Sequence, residues 1–206
     1  MVKYLQHHIP ELVAVVQKED DSPMNTFLNS CRVAGTGPRI HFEDDCLLTK
    51  DFVSKARSEI EERPNSVIQF FSRRKKDLEG DSYFIAGAAF NYNVAFYLPP
   101  DLSEALIDFW NSPNSEWTEW DRNDGPTSFD IFVARYLQTN KMSYYNVIPN
   151  LVEHSQTISA VNSSRPQNRQ SKTFIDPEMF MYPYAMPTVT KQRIRALEIK
   201  EKRDGS

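Results

Sequence analysis

Short apolar runs that alternate with amphipathic segments are the feature that most constrains the fold of this chain. β-Branched and aromatic residues crowd into runs at 11–17, 39–42 and 66–72, which predicts buried strands. The intervening segments 24–34 and 48–63 carry apolar residues at helical spacing. An order of strand, helix, strand, helix, strand is typical of an α/β protein whose sheet is covered by helices.

The second part of the chain continues this pattern. The pattern predicts strands with a bend over 83–98, helices over 102–110 and 128–138, and a last strand over 144–152. The length of 206 residues with 40% hydrophobic content suits one domain with a substantial core. We therefore expect a single α/β domain over residues 1–155, with a mixed, mostly parallel sheet flanked by helices.

The composition changes after this domain. Residues 156–190 are rich in Ser, Asn, Gln and Pro, which predicts a flexible loop and tail. Residues 191–206 predict a charged C-terminal helix.

Composition and charge also limit the classes of protein to which this chain can belong. No run approaches the roughly 18 apolar residues of a membrane span, and the N-terminus lacks a signal-like core, so we expect a cytoplasmic protein without a membrane partner. Cys31 and Cys46 form no CxxC pair and predict neither a disulfide framework nor a zinc site. A net charge of −4 disfavours a broad nucleic-acid-coating surface, although the run from Arg73 to Lys76 leaves a local basic patch.

An acidic run, Glu43, Asp44 and Asp45, directly follows the predicted strand at 39–42. The carboxyl ends of parallel strands border the ligand crevice of such sheets. Three adjacent carboxylates repel one another, and a divalent cation with oxygen ligands would relieve that repulsion. The alternative is a solvated turn before a helix, where Asp is favoured by the helix dipole.

At this point an ordered set of motifs resembles the GT-A glycosyltransferases, in which a short acidic metal motif follows an apolar strand and sometimes has an EDD form. The resemblance spans most of residues 11–171 and rests on four segments: VVQKEDD (15–21), NSCR (29–32), HFEDDCLLTKDFV (41–53) and NLVEHS (150–155). It implies a GT-A-like fold, a Mn²⁺ or Mg²⁺ cofactor and transfer of a sugar from a nucleotide-sugar donor to an acceptor hydroxyl. One departure is that GT-A domains ordinarily begin with a further strand and helix, whereas only MVKYLQHHIP precedes the first predicted strand.

The resemblance also assigns site residues. It implies that Asp45 and His154 are metal ligands, and imidazole is a reasonable ligand for manganese. The donor-binding residues that it implies are Gln17, Asp20, Asp21, Arg32, Glu43, Asp44, Arg165 and Arg169. Within this set, Arg165 and Arg169 lie in a predicted loop that would close over the donor diphosphate. Asp20 and Asp21 have an alternative interpretation as an ordinary Asx turn.

Asp130 is the candidate catalytic base. An inverting transfer needs a carboxylate within hydrogen-bond reach of the acceptor hydroxyl. Asp130 lies in the first turn of the helix predicted at 128–138, where the helix dipole also favours Asp without any chemistry. Asp121 and Asp124 are reserve candidates.

The acceptor is predicted from a narrower resemblance. Compact GT-A proteins resemble enzymes of bacterial viruses that glycosylate hydroxymethylated bases of DNA, and the basic run Arg73, Arg74, Lys75 and Lys76 would then hold the phosphate backbone. Otherwise the acceptor is a saccharide, and the basic run is a solubilising loop. A metal-dependent phosphodiesterase or nuclease and a non-catalytic binding module remain alternative functions.

Overall fold

Helices and strands are interspersed along the chain, and the protein is mixed α/β. The computed structural model describes residues 2–15, 22–43, 45–91, 94–112, 129–154 and 170–174. The α-helices are Val2–His8 (α1), Pro23–Ala34 (α2), Phe52–Glu62 (α3), Leu102–Asn111 (α4) and Phe129–Thr139 (α5). The strands are Arg39–Phe42 (β1), Cys46–Leu48 (β2), Val67–Gln69 (β3), Tyr83–Ala86 (β4), Ala95–Leu98 (β5), Ser143–Asn146 (β6) and Val152–His154 (β7). Two short 3₁₀-helices, Lys75–Glu79 and Gly87–Ala89, flank β4. None of the helices in these ranges is long and apolar enough to cross a membrane.

A five-stranded sheet has the order β1-β5-β3-β6-β4. Among the described strands of this sheet, only β3 and β6 pair in parallel; β1 with β5, β5 with β3 and β6 with β4 pair antiparallel. The expectation of a mixed sheet flanked by helices is confirmed, and the expectation that it is mostly parallel is wrong.

The physical reason for that error is burial of both faces of the sheet. In β5, Ala95 and Tyr97 belong to a core cluster with α1 and α3, whereas Phe96 and Leu98 belong to a second cluster with α2, α4 and α5. A continuous apolar run marks a strand that is covered on both faces, and this strand is covered in the same way although it pairs antiparallel. Apolar runs therefore did not report strand direction.

Three predicted elements differ from the structure, and one helix was not predicted. The strand predicted at 11–17 is wrong over 11–15, which forms no strand, and residues 16 and 17 lie outside the described part. Helix α1, which the sequence analysis did not predict, precedes it and buries Tyr4 and Leu5 in the core. The helix predicted at 48–63 begins only at Phe52, because residues 46–48 form β2. The predicted last strand divides into β6 and β7, with a cis bond between Ile148 and Pro149 in the connection.

The strand directions decide where the loops meet. Since β1 and β3 both run antiparallel to β5, and β6 runs parallel to β3, these three strands share one direction. Their carboxyl ends consequently lie along the same edge of the sheet. We call this the carboxyl edge; the chain after Phe42, after Gln69 and after Asn146 leaves the sheet there.

Gly87 is expected to be a sensitive packing position. A Cβ atom built on Gly87 would lie 2.6 Å from the Met142 carbonyl oxygen and would also meet the side chain of Leu137. Gly87→Ala should therefore lower the free energy of unfolding by about 1–3 kcal/mol, measured by urea denaturation. The matched control is Gly37→Ala, whose nearest atom would be 3.4 Å away, and it should change stability by no more than about 0.5 kcal/mol. Equal unfolding midpoints for the two variants would contradict the packing argument.

Candidate metal centre

Glu43, Asp45 and His154 come together at the carboxyl edge. Glu43 and Asp45 follow β1, and His154 is the last residue of β7. One possible ligand atom from each lies within 4.8 Å of the others. The structure thus brings together the two residues that were predicted as metal ligands, Asp45 and His154, and adds Glu43, which was predicted for the donor site.

A short antiparallel ladder between β2 and β7 produces this proximity. Cys46 pairs with His154 and Leu48 pairs with Val152, and all four side chains are buried. Asp45 immediately precedes Cys46, so its carboxylate lies beside the imidazole. The Asp45 Oδ2 atom is 2.9 Å from His154 Nε2.

These three side chains could hold a divalent cation. Two ligand atoms that each lie about 2.1 Å from an octahedral cation, at a right angle, are about 3.0 Å apart, close to the separation of Asp45 and His154. The second carboxylate oxygen of Asp45, Oδ1, is buried and has no hydrogen-bond partner among the described residues. A buried carboxylate oxygen is costly to desolvate unless it is paired or coordinates a metal. Two carboxylates and one imidazole are ligands that Mn²⁺ accepts.

Glu153 immediately precedes the candidate ligand His154 in β7, and it was not predicted from the sequence. Its side chain is only 4% exposed, and burial raises its pKa to about 7. The Oε1 atom accepts hydrogen bonds from the backbone amides of His154, at 2.8 Å, and of Ser171, at 3.0 Å. The carboxylate therefore ties the strand that carries the histidine to a later part of the chain. The sequence signal that could have pointed to Glu153 was a single Glu next to the apolar residues of NLVEHS (150–155).

Asn150 and Ser171 form a second connection that sequence reasoning missed. The buried Asn150 amide donates to the Ser72 carbonyl oxygen, at 2.7 Å, and to Ser171 Oγ, at 2.6 Å. Ser171 Oγ also accepts from the amide of Thr173, at 3.1 Å. Residues 170–174 fall within the predicted loop and tail, and here they pack on the domain, with Phe174 buried in its core.

The basic run leaves β3 at the carboxyl edge, and Arg74 within it is engaged in the fold. Its guanidinium donates hydrogen bonds to Ser72 Oγ at 3.0 Å, and to the Ala89 carbonyl oxygen, Asn91 Oδ1 and Tyr144 Oη at 2.6 Å each. These contacts join the chain after β3 to β6 and to the connection between β4 and β5. Binding of a phosphate group by Arg74 would have to compete with these hydrogen bonds.

The other three basic residues occupy different environments. Arg73 is half-buried, and its positive charge is one of the influences that lower the pKa of Glu153. Lys75 and Lys76 are exposed, and the Lys76 ammonium lies 4.5 Å from the centroid of the Tyr83 ring. The run therefore presents two lysines outward, and it is not one uniform basic patch.

Asp130 lies in the first turn of α5, as predicted. Its Oδ1 atom accepts a hydrogen bond from the Ile131 amide at 2.9 Å, and the side chain is half-buried. The preceding residue, Phe129, packs with its ring centroid 5.1 Å from that of His41. Since His41 lies two residues before Glu43, this packing directs the start of α5 toward the carboxyl end of β1.

The remaining predicted site residues are distributed as follows. Arg32 is exposed on α2, and its guanidinium donates to Asn29 Oδ1 at 2.6 Å. The others lie outside the described residues: Gln17, Asp20, Asp21, Asp44, Arg165 and Arg169, together with the reserve candidates Asp121 and Asp124.

The chain was also compared with known proteins. No protein-family model matches it, and neither curated proteins nor solved structures contain a match. The geometry of the described residues therefore carries the functional argument.

The raised pKa of Glu153 predicts a pH-dependent loss of stability. An exposed Glu in the unfolded chain has a pKa of about 4.3, so the native state holds the proton more tightly and stability should fall as pH rises from about 4 to about 7. Glu153→Gln keeps the acceptor oxygen and removes this titration. Relative to the variant, wild type should lose on the order of 3 kcal/mol across that interval, at about 1.4 kcal/mol per pKa unit.

Urea denaturation between pH 4 and 8, with a chelator present, measures this difference. Glu61→Gln is the control, because Glu61 is exposed on α3 and its replacement should leave the pH profile parallel to that of wild type. A profile for Glu153→Gln that also runs parallel to wild type would refute the assignment.

Proposed function

We propose that this chain is a metal-dependent glycosyltransferase that moves a sugar from a nucleotide-sugar donor to an acceptor hydroxyl. The observation that carries the proposal is the group of Glu43, Asp45 and His154 at the carboxyl edge. Its support is twofold: the resemblance to GT-A enzymes assigns Asp45 and His154 to the metal, and these side chains lie 2.9 Å apart although they are distant in sequence.

Asp45 and His154 would hold Mn²⁺ or Mg²⁺, with Glu43 as the third protein ligand. When bound, the cation supplies positive charge that neutralises the diphosphate leaving group. The ladder between β2 and β7 limits the movement of the buried Asp45 Oδ1 atom and of the buried imidazole, and it would therefore hold both ligands in place for the cation. The burial of His154, at 5% exposed, also excludes water from one side of the centre.

Asp130 would act as the base of an inverting transfer. Its carboxylate would accept the proton of the acceptor hydroxyl while that oxygen bonds to the anomeric carbon of the sugar and the bond from that carbon to the diphosphate breaks. The packing of Phe129 on His41 supports a position near Glu43 and Asp45. The resemblance leaves recognition of the donor to Gln17, Asp20, Asp21, Arg32, Asp44, Arg165 and Arg169.

The proposed acceptor is a hydroxymethylated base in DNA of a bacterial virus, with a saccharide as the alternative. Because the Arg74 guanidinium already donates to Ser72, Ala89, Asn91 and Tyr144, backbone phosphates would be met mainly by Arg73, Lys75 and Lys76. Such contacts would make DNA binding weaken with salt, because each releases condensed counterions.

The test is incubation of the protein with Mn²⁺ and a panel of nucleotide-sugars, with and without hydroxymethylated DNA, and measurement of released nucleoside diphosphate. Wild type should hydrolyse or transfer at least one donor, and Asp45→Asn should reduce that rate by a hundredfold or more, roughly 2.7 kcal/mol in the barrier. Asp51→Asn is the control: Asp51 is an exposed helix N-cap paired with Lys55, and Asn serves at that position.

Three results would contradict the proposal. They are turnover of no donor by wild type, attack on nucleic acid alone, and an Asp45→Asn variant that is as active as wild type. Glycosylation of saccharides but not of any hydroxymethylated DNA would overturn only the DNA acceptor.

Asp130→Asn should lower kcat by about 100-fold or more while the affinity for donor stays nearly unchanged. The reason is that a general base, whose typical contribution is 10²–10⁴-fold, acts on the acceptor proton and not on the diphosphate. Steady-state kinetics and donor titration measure the two effects separately. Glu104→Gln is the matched control, since Glu104 is an exposed acidic residue in the first turn of α4. Loss of donor affinity with kcat retained would reassign Asp130 to a binding role.

A further inference from the structure

We infer that Cys46 is a positioning residue of the candidate metal centre, an inference that rests on the metal site proposed above. Cys46 forms no disulfide bond and is 0% exposed. A buried cysteine is commonly only a small apolar side chain. Cys46 differs because its sulfur lies against the backbone of the turn that carries two of the three candidate ligands.

The Cys46 thiol closes the turn between β1 and β2. Its sulfur lies 2.7 Å from the Glu43 carbonyl oxygen and 3.2 Å from the Val94 carbonyl oxygen, both of which can accept from the S–H group. The Val94 carbonyl also accepts a hydrogen bond from the Glu43 amide at 2.9 Å. The Val94 carbonyl, directly before β5, therefore contacts both the Glu43 amide and the Cys46 sulfur.

All three candidate ligands are connected to this residue through the backbone. Glu43 is held through its carbonyl, Asp45 is the neighbour in sequence, and His154 is the ladder partner of Cys46. A metal site needs its ligands placed within about 0.5 Å of the productive geometry. Loss of the thiol should thus loosen the Glu43 end of the turn without removing a ligand, and metal affinity should decrease without being abolished.

Cys31 offers a matched control within the same chain. It too forms no disulfide bond and is 0% exposed. Cys31 lies on helix α2, and its sulfur accepts a hydrogen bond from the Arg39 guanidinium at 2.9 Å. Its side chain packs in the other core cluster. Replacing it should disturb packing to a similar degree with no effect on the metal centre.

The experiment is calorimetric titration of the metal-free protein with Mn²⁺, with thermal unfolding of each protein measured in parallel. Cys46→Ala leaves a small cavity and Cys46→Val adds bulk, but both lose the donor, so both should weaken Mn²⁺ binding by about tenfold, the low end for residues that support metal ligands. Cys46→Ser retains a donor and should bind Mn²⁺ more tightly than either. Cys31→Val should bind as wild type does.

The outcomes separate this inference from the proposed function. If Asp45→Asn loses Mn²⁺ while Cys46→Ala and Cys46→Val bind as tightly as wild type, the positioning role is overturned and the metal site stands. An equal loss of affinity in the Ala, Val and Ser variants that follows their thermal stability would also overturn it, because packing alone would explain the loss. Wild type and Asp45→Asn binding equally, or neither binding, would overturn the metal site and this role together.

Discussion

Burial of the central strands on both faces is the constraint on which the rest of this structure depends. Every side chain of β3 and β5 is buried, and alternate residues enter two separate cores. Each core must be closed by its own helices, α1 and α3 on one face and α2, α4 and α5 on the other. This arrangement leaves the ends of the strands as the places where polar side chains can gather, and the shared direction of β1, β3 and β6 puts Glu43 and Asp45 at the carboxyl edge.

The carboxyl edge is assembled by contacts that span long stretches of chain. The ladder of β2 with β7 brings His154 to Asp45, and Asn150 and Glu153 bind residues of the 170–174 segment beside it. These polar groups are buried, and a buried donor or acceptor that loses its partner costs about 1–3 kcal/mol. Hydrogen-bonded backbone and side-chain groups therefore flank the candidate centre, and the Cys46 sulfur lies 2.7 Å from the Glu43 carbonyl oxygen.

The basic run shows how neighbours of one residue type acquire different roles. In the sequence, Arg73 to Lys76 are four equivalent cations after a predicted strand. In the structure, Arg74 turns inward because Tyr144 and Asn91 present acceptors that satisfy its planar fork, whereas Lys75 and Lys76 remain exposed. Which side chain meets those acceptors depends on residues up to 70 positions away, so local charge alone did not reveal it.

The sequence by itself determined most of the helices and strands after α1, the two-sided burial of the sheet, the position of the acidic residues after β1 and the first-turn position of Asp130, because hydrophobic periodicity and helix starts are local signals. It did not determine the direction of β5, the division of 144–152 into β6 and β7, or the helix at Val2–His8. Those features, and the approach of Glu43, Asp45 and His154, were decided only by tertiary structure. The physical reason is that strand direction and the meeting of distant side chains depend on which partners are buried together, and a local apolar pattern is the same for either pairing.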